Sequence, residues 1–417
     1  MTWDVIVVGA GAAGLATALF ARRHRPEASV LLLDGAKKPG AKILVSGGGR
    51  CNVTNTVVTE RDYRGGPPTI VRRVLRALTV ADTVRFFADA GVALHEEHDG
   101  KLFPDSNSAR QVLDALLQEA ATGGVELRSS HRVASLDKTD AGFRVSTNAG
   151  ELVGRRVVLA TGGMSLPKSG SDGAGYALAR ALGHTLVATT PALAPLVLST
   201  NGKDASAIHG TWSGISQQVI LTLRTDGSVA SRERGSMLWT HFGISGPAAL
   251  DLSRHWLRAT LEGRAADAAA NLTPDLDFES LETFWLEQAR QRPRAMLGTI
   301  LATQIPAAVA DGVLAGLGID ASTTLASVTR DERRRLTHAL TAWPIPIVDS
   351  RGYNFAEATA GGIALQEIDP ATMESRCCRG LYLVGEMLDV DGRLGGFNFQ
   401  WAWSSAAVAA RGLSRVS

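Results

Sequence analysis

Two segments near opposite ends of this 417-residue chain have the residue types and spacing to hold one dinucleotide. At the first, the apolar run Val5-Ile6-Val7-Val8 enters Gly9-Ala10-Gly11-Ala12-Ala13-Gly14, and Val30-Leu31-Leu32-Leu33 then ends in Asp34. A strand, a glycine turn and a helix of small residues present backbone N–H groups and a helix N-terminus to a pyrophosphate. Asp34 falls about 20 residues beyond the turn, where a carboxylate accepts hydrogen bonds from a ribose. At the second, Leu381-Tyr382-Leu383-Val384 leads into Gly385-Glu386 and Asp389, then into Gly395-Gly396-Phe397-Asn398-Phe399-Gln400.

The first segment suits nicotinamide and flavin dinucleotides alike, and the second chooses between them. A Rossmann dehydrogenase has no need of a C-terminal return, whereas a flavin's ribityl chain and ring require a second wall. Gly395-Gly396 allow close approach of backbone to a flat ring, and a helix from Asn398 to Arg411 aims its positive N-terminus at them. Reduced flavin carries negative charge around N1 and the C2 carbonyl, which such a helix end favours. These residues read as a site for non-covalent FAD. With one nucleotide fold in evidence, NAD(P)H enters as a transient electron donor at the flavin face.

The elements between the two ends must carry the rest of the site. Pro39 to Asn55 holds four glycines, two cations and several small polar residues, a loop that can lie along a planar or phosphorylated ligand. Residues 70–121 read as two helices around a polar hairpin at Glu96–Lys101. Short strands follow at 125–127, 132–136, 143–145 and 156–159, the last running into Ala160-Thr161-Gly162-Gly163, with a helix around Tyr176–Leu182 beyond it. Residues 196–262 alternate as strands, 277–340 are helical, and 342–368 return to strands and glycines.

The fold class is α/β: a discontinuous Rossmann-like FAD-binding domain of the glutathione-reductase type, an inserted β-barrel-like domain and a small helical domain. The expected boundaries are 1–190 and 351–417 for the FAD domain, 191–272 and 341–350 for the β-rich insert, and 273–340 for the helical insert. A 45% apolar, 20% charged composition with a net charge of +2 is that of a folded protein without a strong field for nucleic acid. Three cysteines, Cys51 and the adjacent Cys377-Cys378, make neither a disulfide framework nor a metal site. With no run approaching a membrane span, the expected location is the cytoplasm.

The run Gly40–Asn55, the Ala160–Gly163 and Gly173–Tyr176 segments, Thr240–Pro247, Gly385–Gly392 and Gly396–Ala402 together resemble the BaiN-like (YhiN-like) flavoproteins over essentially the whole chain. The resemblance implies a three-domain FAD enzyme with contacts at Gly9, Gly11, Gly14, Asp34, Lys42, Ser46, Gly47, Gly48, Gly49, Arg50, Asn52, Gly162, Gly163, Gly385, Glu386, Asp389, Gly396, Phe397, Asn398, Phe399 and Gln400. Ala13, Val133, Ala160, Thr161 and Gly395 complete the expected cofactor set. Asp34 stands where such flavoproteins often carry a longer Glu, and Ser171-Asp172-Gly173-Ala174-Gly175 replaces a Thr-Gly-Asp-Gly order, marking a divergent subgroup.

What the resemblance implies about chemistry is hydride transfer at flavin N5, spread over small-amine oxidation, reduction of conjugated carbon–carbon bonds and reduction of uridine in ribosomal RNA. The leading expectation is an oxidoreductase acting on a small organic substrate. The alternative is an RNA-modifying enzyme using Arg290, Arg292, Arg294, Arg330, Arg333, Arg334 and Arg335 on the helical insert to meet phosphates. A flavin-binding protein without turnover is a weaker third. Candidate catalytic residues are His241, Cys51 and Tyr353, each with a plainer reading. His241 suits a buried histidine bonded to backbone, and Cys51 a packed thiol with no resolving partner nearby. Ser245-Gly246-Pro247 reads as a turn and helix start rather than a catalytic hydroxyl.

Overall fold

The β-branched run after Thr2 forms strand β1 (Thr2–Val8), buried continuously from Val5, and the small residues after the glycine turn form helix α1 (Ala12–His24). The computed structural model describes residues 2–199 and 205–415, and the chain divides into two compact units: Met1–Pro191 with Ala356–Ser417, and Ala192–Phe355. The first unit continues through β2 (Val30–Leu33), α2 (Ala41–Val45), β3 (Thr54–Asn55), β4 (Tyr63–Gly65), α3 (Pro68–Leu75) and α4 (Val80–Asp89). It goes on through the hairpin β5 (Leu94–Glu96) and β6 (Lys101–Pro104) to α5 (Ala109–Thr122). The apolar pattern predicts two helices over 70–121, and three form. A capping box at Thr79, whose side chain and backbone exchange hydrogen bonds with Asp82, starts a new helix where the pattern alone would continue the old one. After β7 (Glu126–Arg128) come the meander β8 (Val133–Thr139), β9 (Gly142–Thr147) and β10 (Gly150–Leu159), then α6 (Ala174–Ala181) and β11 (Leu186–Ala192).

The second unit contains β12 (Leu196–Leu198), β13 (Ser216–Thr225), β14 (Ser228–Thr240), β15 (Gly243–Ser245), α7 (Pro247–Leu261) and β16 (Ala266–Asn271). The helices α8 (Phe278–Gln291), α9 (Leu297–Leu301), α10 (Ala307–Leu317) and α11 (Arg330–Thr341) follow, then β17 (Trp343–Ile345) and β18 (Ile347–Ser350). Its sheet runs in the order β17-β16-β13-β14-β15-β12-β18. The two edge strands are consecutive in the chain with only Pro346 between them, so the first and last strands of the sheet are joined end to end. Trp212, Trp239 and Trp343 fill it, with ring centroids 4.7 and 5.6 Å from Trp212. The strand pattern expected over 196–262 is interrupted by α7. Pro247 occupies its first turn, and Ala248, Leu252, Trp256 and Ala259 bury one helical face.

The chain re-enters the first unit through β19 (Ala358–Ile363), β20 (Leu381–Leu383), β21 (Val390–Gly392) and α12 (Phe397–Ser414). Parallel pairing gives the order β7-β2-β1-β10, with β20 alongside the second half of β10 and β9 antiparallel to its first half. Register matters most here. Val8 pairs with Leu33 and with Leu159, and Leu159 pairs with Leu383. Four strands therefore end in line, and Gly9, Asp34, Ala160 and Gly385 leave the sheet at one edge, the carboxyl edge where open α/β sheets bind ligands. Among the described residues no helix is long and apolar enough to cross a membrane.

A Cβ on Gly14 would stand 1.8 Å from the Gly9 carbonyl oxygen, inside the helix–strand contact. Gly14→Ala is expected to lower unfolding free energy by about 3 kcal/mol, as severe overpacking does. Urea denaturation checks this, and an unchanged midpoint contradicts the packing described.

Candidate functional site

The three glycines of the first turn divide into two for packing and one that faces open space. A Cβ on Gly9 would meet the Ala160 carbonyl oxygen at 2.5 Å, and Gly14 is required by its contact with Gly9, so both serve protein packing. A Cβ on Gly11 would meet nothing within 4 Å. Helix α1 starts there with no side-chain cap on its first turn. An uncapped helix start behind an open glycine is what a pyrophosphate needs, and these residues fit the dinucleotide implied by the fold. Asp34 Oδ2 accepts from the Ala10 N–H at 2.8 Å and Oδ1 from the Ala36 N–H at 2.7 Å. The short aspartate thus pins the turn itself.

Beside the turn lies a polar cluster drawn from four distant parts of the chain. Gly385 abuts Ala13, and the next side chain, Glu386, pairs with Lys42. Ser165 Oγ donates to Glu386 Oε1 at 2.8 Å, the Thr359 N–H donates to the same oxygen at 3.1 Å, and Lys42 Nζ also donates to Ser165. Thr359 Oγ1 in turn accepts the Met164 and Ser165 N–H groups at 2.8 and 3.1 Å. Lys42 and Glu386 are among the site residues expected from sequence. Ser165 and Thr359 are not, although Ser165 follows Gly163 by two positions and Thr359 sits in an Ala-Thr-Ala-Gly-Gly run.

The glycine-rich loop after α2 is held by its own unusual backbone. Gly47, Gly48 and Gly49 have φ of 55, 69 and 86°, and a Cβ on Gly48 would meet nothing within 4 Å. Gly47 rests against Phe103, over which the Arg50 guanidinium stacks at 4.1 Å while pairing with Glu97 at 2.6 Å. With its amide turned to satisfy both ends, Asn52 donates to the Thr54 and Leu102 carbonyls and accepts from the Gly396 N–H. Arg50 and Asn52 therefore shape the loop through protein contacts. Ser46 Oγ donates to the Ile43 carbonyl at 2.7 Å. Cys51 is fully buried, and burial pushes its thiol up to about 12, so it is a packed thiol and not a thiolate at ordinary pH.

The C-terminal segment is similarly engaged. Asn398 exchanges hydrogen bonds with Gly392 at 2.8 and 3.0 Å, and Gln400 accepts from Thr54 Oγ1 and donates to the Leu78 carbonyl. Phe397 is buried, with its carbonyl accepting from Tyr63 Oη, and Phe399 stacks on Trp403. The sequence reads Gly395-Gly396 as clearance for a flat ring; in the fold Gly396 clears the Thr54 carbonyl, which a Cβ would approach to 2.5 Å. Asp389 is buried, its N–H donating to Ile363 and its carbonyl accepting from Gly66. Ala160 is buried, Thr161 packs on Gly175, and a Cβ on Gly163 would meet Thr359 and Glu386. Gly162 has φ of 71° and faces Ser171. Val133 is buried in β8, two residues past His131, whose N–H donates to the Asp34 carbonyl.

Two of the candidate catalytic residues belong to the second unit. His241 is exposed on the β14–β15 turn, edge-on to Phe242 at 5.2 Å, and is not the buried histidine of its plainer reading. Tyr353 sits half-buried in the turn after β18. Ser245-Gly246-Pro247 ends β15 and opens α7, as the turn reading expects.

The family model of the HI0933-like protein Rossmann domain matches residues 3–412. A ribosomal RNA dihydrouridine synthase of Escherichia coli (strain K12) is 37% identical over 412 residues, covering 99% of this chain and 98% of the relative. A 3-dehydro-bile acid delta(4,6)-reductase of Clostridium scindens is 31% identical over 405 residues, covering 97% of each. Among solved structures, the open conformation of a flavocytochrome c3 fumarate reductase aligns with a TM-score of 0.51 at 18% identity, over 99% of this chain and 78% of its own, a likeness of fold.

The glycine geometry predicts a clean separation of folding from binding. Gly11→Val should leave the urea midpoint nearly unchanged and abolish flavin retention, read from absorbance after desalting. Loss of fold and flavin together would contradict the open position. Cys51→Ser should retain flavin and turnover, and a colourless or inactive variant would restore Cys51 as a redox candidate.

Proposed function

The chain belongs to the HI0933-like family and is an FAD-dependent oxidoreductase; within that class we propose that it reduces a carbon–carbon double bond conjugated to a carbonyl. The observation that carries this reading is the shared chemistry of two relatives that run the length of the chain. Making dihydrouridine saturates a bond conjugated to a ring carbonyl, and a delta(4,6)-reductase of a 3-dehydro acid acts on bonds conjugated to a ketone. Amine oxidation, the other small-molecule chemistry expected from the sequence, lacks that support.

Bound flavin supplies a hydride at N5. The chain's residues divide the remaining work. We assign the pyrophosphate to the Gly11 turn and the start of α1, the ribose to Asp34, and the ribityl chain to the Lys42–Glu386–Ser165 cluster. The ring falls to the Ser46–Gly49 loop and the Gly395–Gly396 corner. NAD(P)H is the proposed reductant, docking transiently because the sheet offers one dinucleotide turn. Free thiols at Cys51, Cys377 and Cys378 fit a reducing cytoplasm.

A small molecule is the favoured substrate, given the near-neutral charge. The RNA reading has one specific support: Arg290, Arg292 and Arg294 are exposed at and just beyond the end of α8 without an acidic partner among the described residues. The broader arginine footprint contracts in the fold. Arg333 pairs with Glu282 at 3.0 Å, and Arg335 bonds the Leu317 carbonyl and lies 3.7 Å from Asp331.

The purified protein should be yellow and release FAD on heating; FMN or no flavin in the supernatant contradicts the cofactor assignment. Steady-state kinetics should be ping-pong, with parallel double-reciprocal lines for NADPH against a conjugated ketone. Anaerobically reduced enzyme should be reoxidised by a uridine-containing ribosomal RNA fragment or a 3-oxo-Δ4 steroid acid and not by their saturated analogues. Bleaching of oxidised enzyme by amines, without reoxidation by any conjugated carbonyl, would sink the proposal. For RNA as substrate, reversing Arg290, Arg292 and Arg294 to Glu should weaken binding and flatten its salt dependence, with flavin spectra intact. Unchanged RNA affinity in that variant removes this surface from the reading.

A further inference from the structure

The second unit carries an arginine whose surroundings fix what it can bind. Arg351 follows β18, its N–H donating to the Pro195 carbonyl at 2.9 Å. Its guanidinium carbon lies 4.6 Å from the centroid of Phe242 and 3.9 Å from that of Phe355. Neither ring is fully buried, and Phe355 is 50% exposed, among the large apolar side chains left open to solvent. The turn bearing Phe242 is itself braced. The Gly243 N–H donates to Thr240 Oγ1, and Gly243 passes the Leu196 carbonyl so closely that a Cβ would stand 2.3 Å from it.

Among the described residues no carboxylate pairs with this cation. Asp349, the nearest acid in sequence, accepts from the Ser350 N–H at 2.7 Å, and among the described residues Arg351 forms no ion pair and no side-chain hydrogen bond. A guanidinium has two π faces for stacking and an edge of N–H donors. Two phenylalanine rings lie within cation–π distance of its central carbon, and its N–H donors are what it offers a polar partner. That edge matches the two oxygens of a carboxylate or phosphate, and aromatic contacts that hold the fork in place reduce the entropy lost on binding.

We infer that Arg351, steadied by Phe242 and Phe355 with His241 on the same turn, is an oxyanion-binding residue that recognises a carboxylate or phosphate of a ligand bound by this unit. The inference rests on the proposed reductase reading for the classes of ligand tried. Its own content is the charged group that such a ligand must carry. A backbone phosphate of RNA and the carboxylate of a small acid share this chemistry, and the test separates them.

Calorimetry on the FAD-loaded, full-length protein compares two pairs of probes, uridine 5′-monophosphate with uridine and cholate with methyl cholate. Wild type should bind the charged member of one pair more tightly, the first pair marking a phosphate and the second a carboxylate. Arg351→Met should erase that preference, a loss of about tenfold or more, while leaving the neutral member's affinity unchanged. Arg351→Lys should recover only part, since it restores charge without the planar fork. Flavin content and the thermal midpoint of each variant show that the fold survives, and Phe355→Ala supplies a milder second variant with an intermediate loss. No charge preference in wild type, or a preference that survives in Arg351→Met, overturns the inference. The reductase reading is tested apart from it, by reoxidation of the reduced flavin with a neutral conjugated ketone.

Discussion

The whole nucleotide unit depends on how closely helix α1 approaches the carbonyl of Gly9. Any side chain at position 14 would drive the helix away from β1, and the same displacement would pull Gly9 off Ala160, which a Cβ at position 9 also could not pass. Two glycines are thus consumed in bringing a helix start to the sheet edge, and only then does the third, Gly11, face open space. Asp34 completes the constraint by tying the Ala10 and Ala36 N–H groups to one carboxylate. Binding capacity at this edge is a by-product of tight packing below it, since rigid placement of the N–H groups leaves little reorganisation for the ligand to drive.

The same tightness explains why the two ends of the chain cannot act separately. Trp401 Nε1 donates to the Gly385 carbonyl and Trp403 Nε1 to the Val53 carbonyl, at 3.1 and 2.9 Å. Thr54 and Gln400 bond across 346 positions of sequence, and Thr54 passes position 396 so closely that only glycine fits there. A buried indole N–H or amide left without its acceptor costs about 1–3 kcal/mol, so α12 and the glycine-rich loop hold each other in register. Loop closure over such separations is slow compared with local helix formation. The loop should gain its final shape late in folding, after the C-terminal segment has docked.

Legibility in the sequence follows periodicity and glycine spacing. The first strand, the glycine turn, Asp34, the Ala160 strand and the C-terminal return are all readable, because each is a short apolar run closed by a residue with a restricted backbone role. Less readable are boundaries set by one side chain, such as the Thr79–Asp82 box that divides two helices and the Gly246-Pro247 start of α7. Ser165 and Thr359 are hidden because nothing local distinguishes a hydroxyl that meets Glu386 from one that faces water. Only the chain's return through β19 brings them together. For Arg50, Asn52, Asn398 and Gln400 the sequence indicates the place, and the fold adds contacts within the protein that spacing does not reveal.

That engagement bears on where specificity resides. In the first unit the conspicuous polar side chains are committed to backbone carbonyls, to one another, or to the cluster around Glu386, so little remains there to distinguish one substrate from another. Relatives named for an RNA and for a bile acid both align along nearly the full chain, so an added domain does not account for the difference between them. Changes of side chain within a shared frame must do so. In the second unit, among the described residues, Arg351 beside its two rings and the exposed arginines at and just beyond the end of α8 form no ion pair.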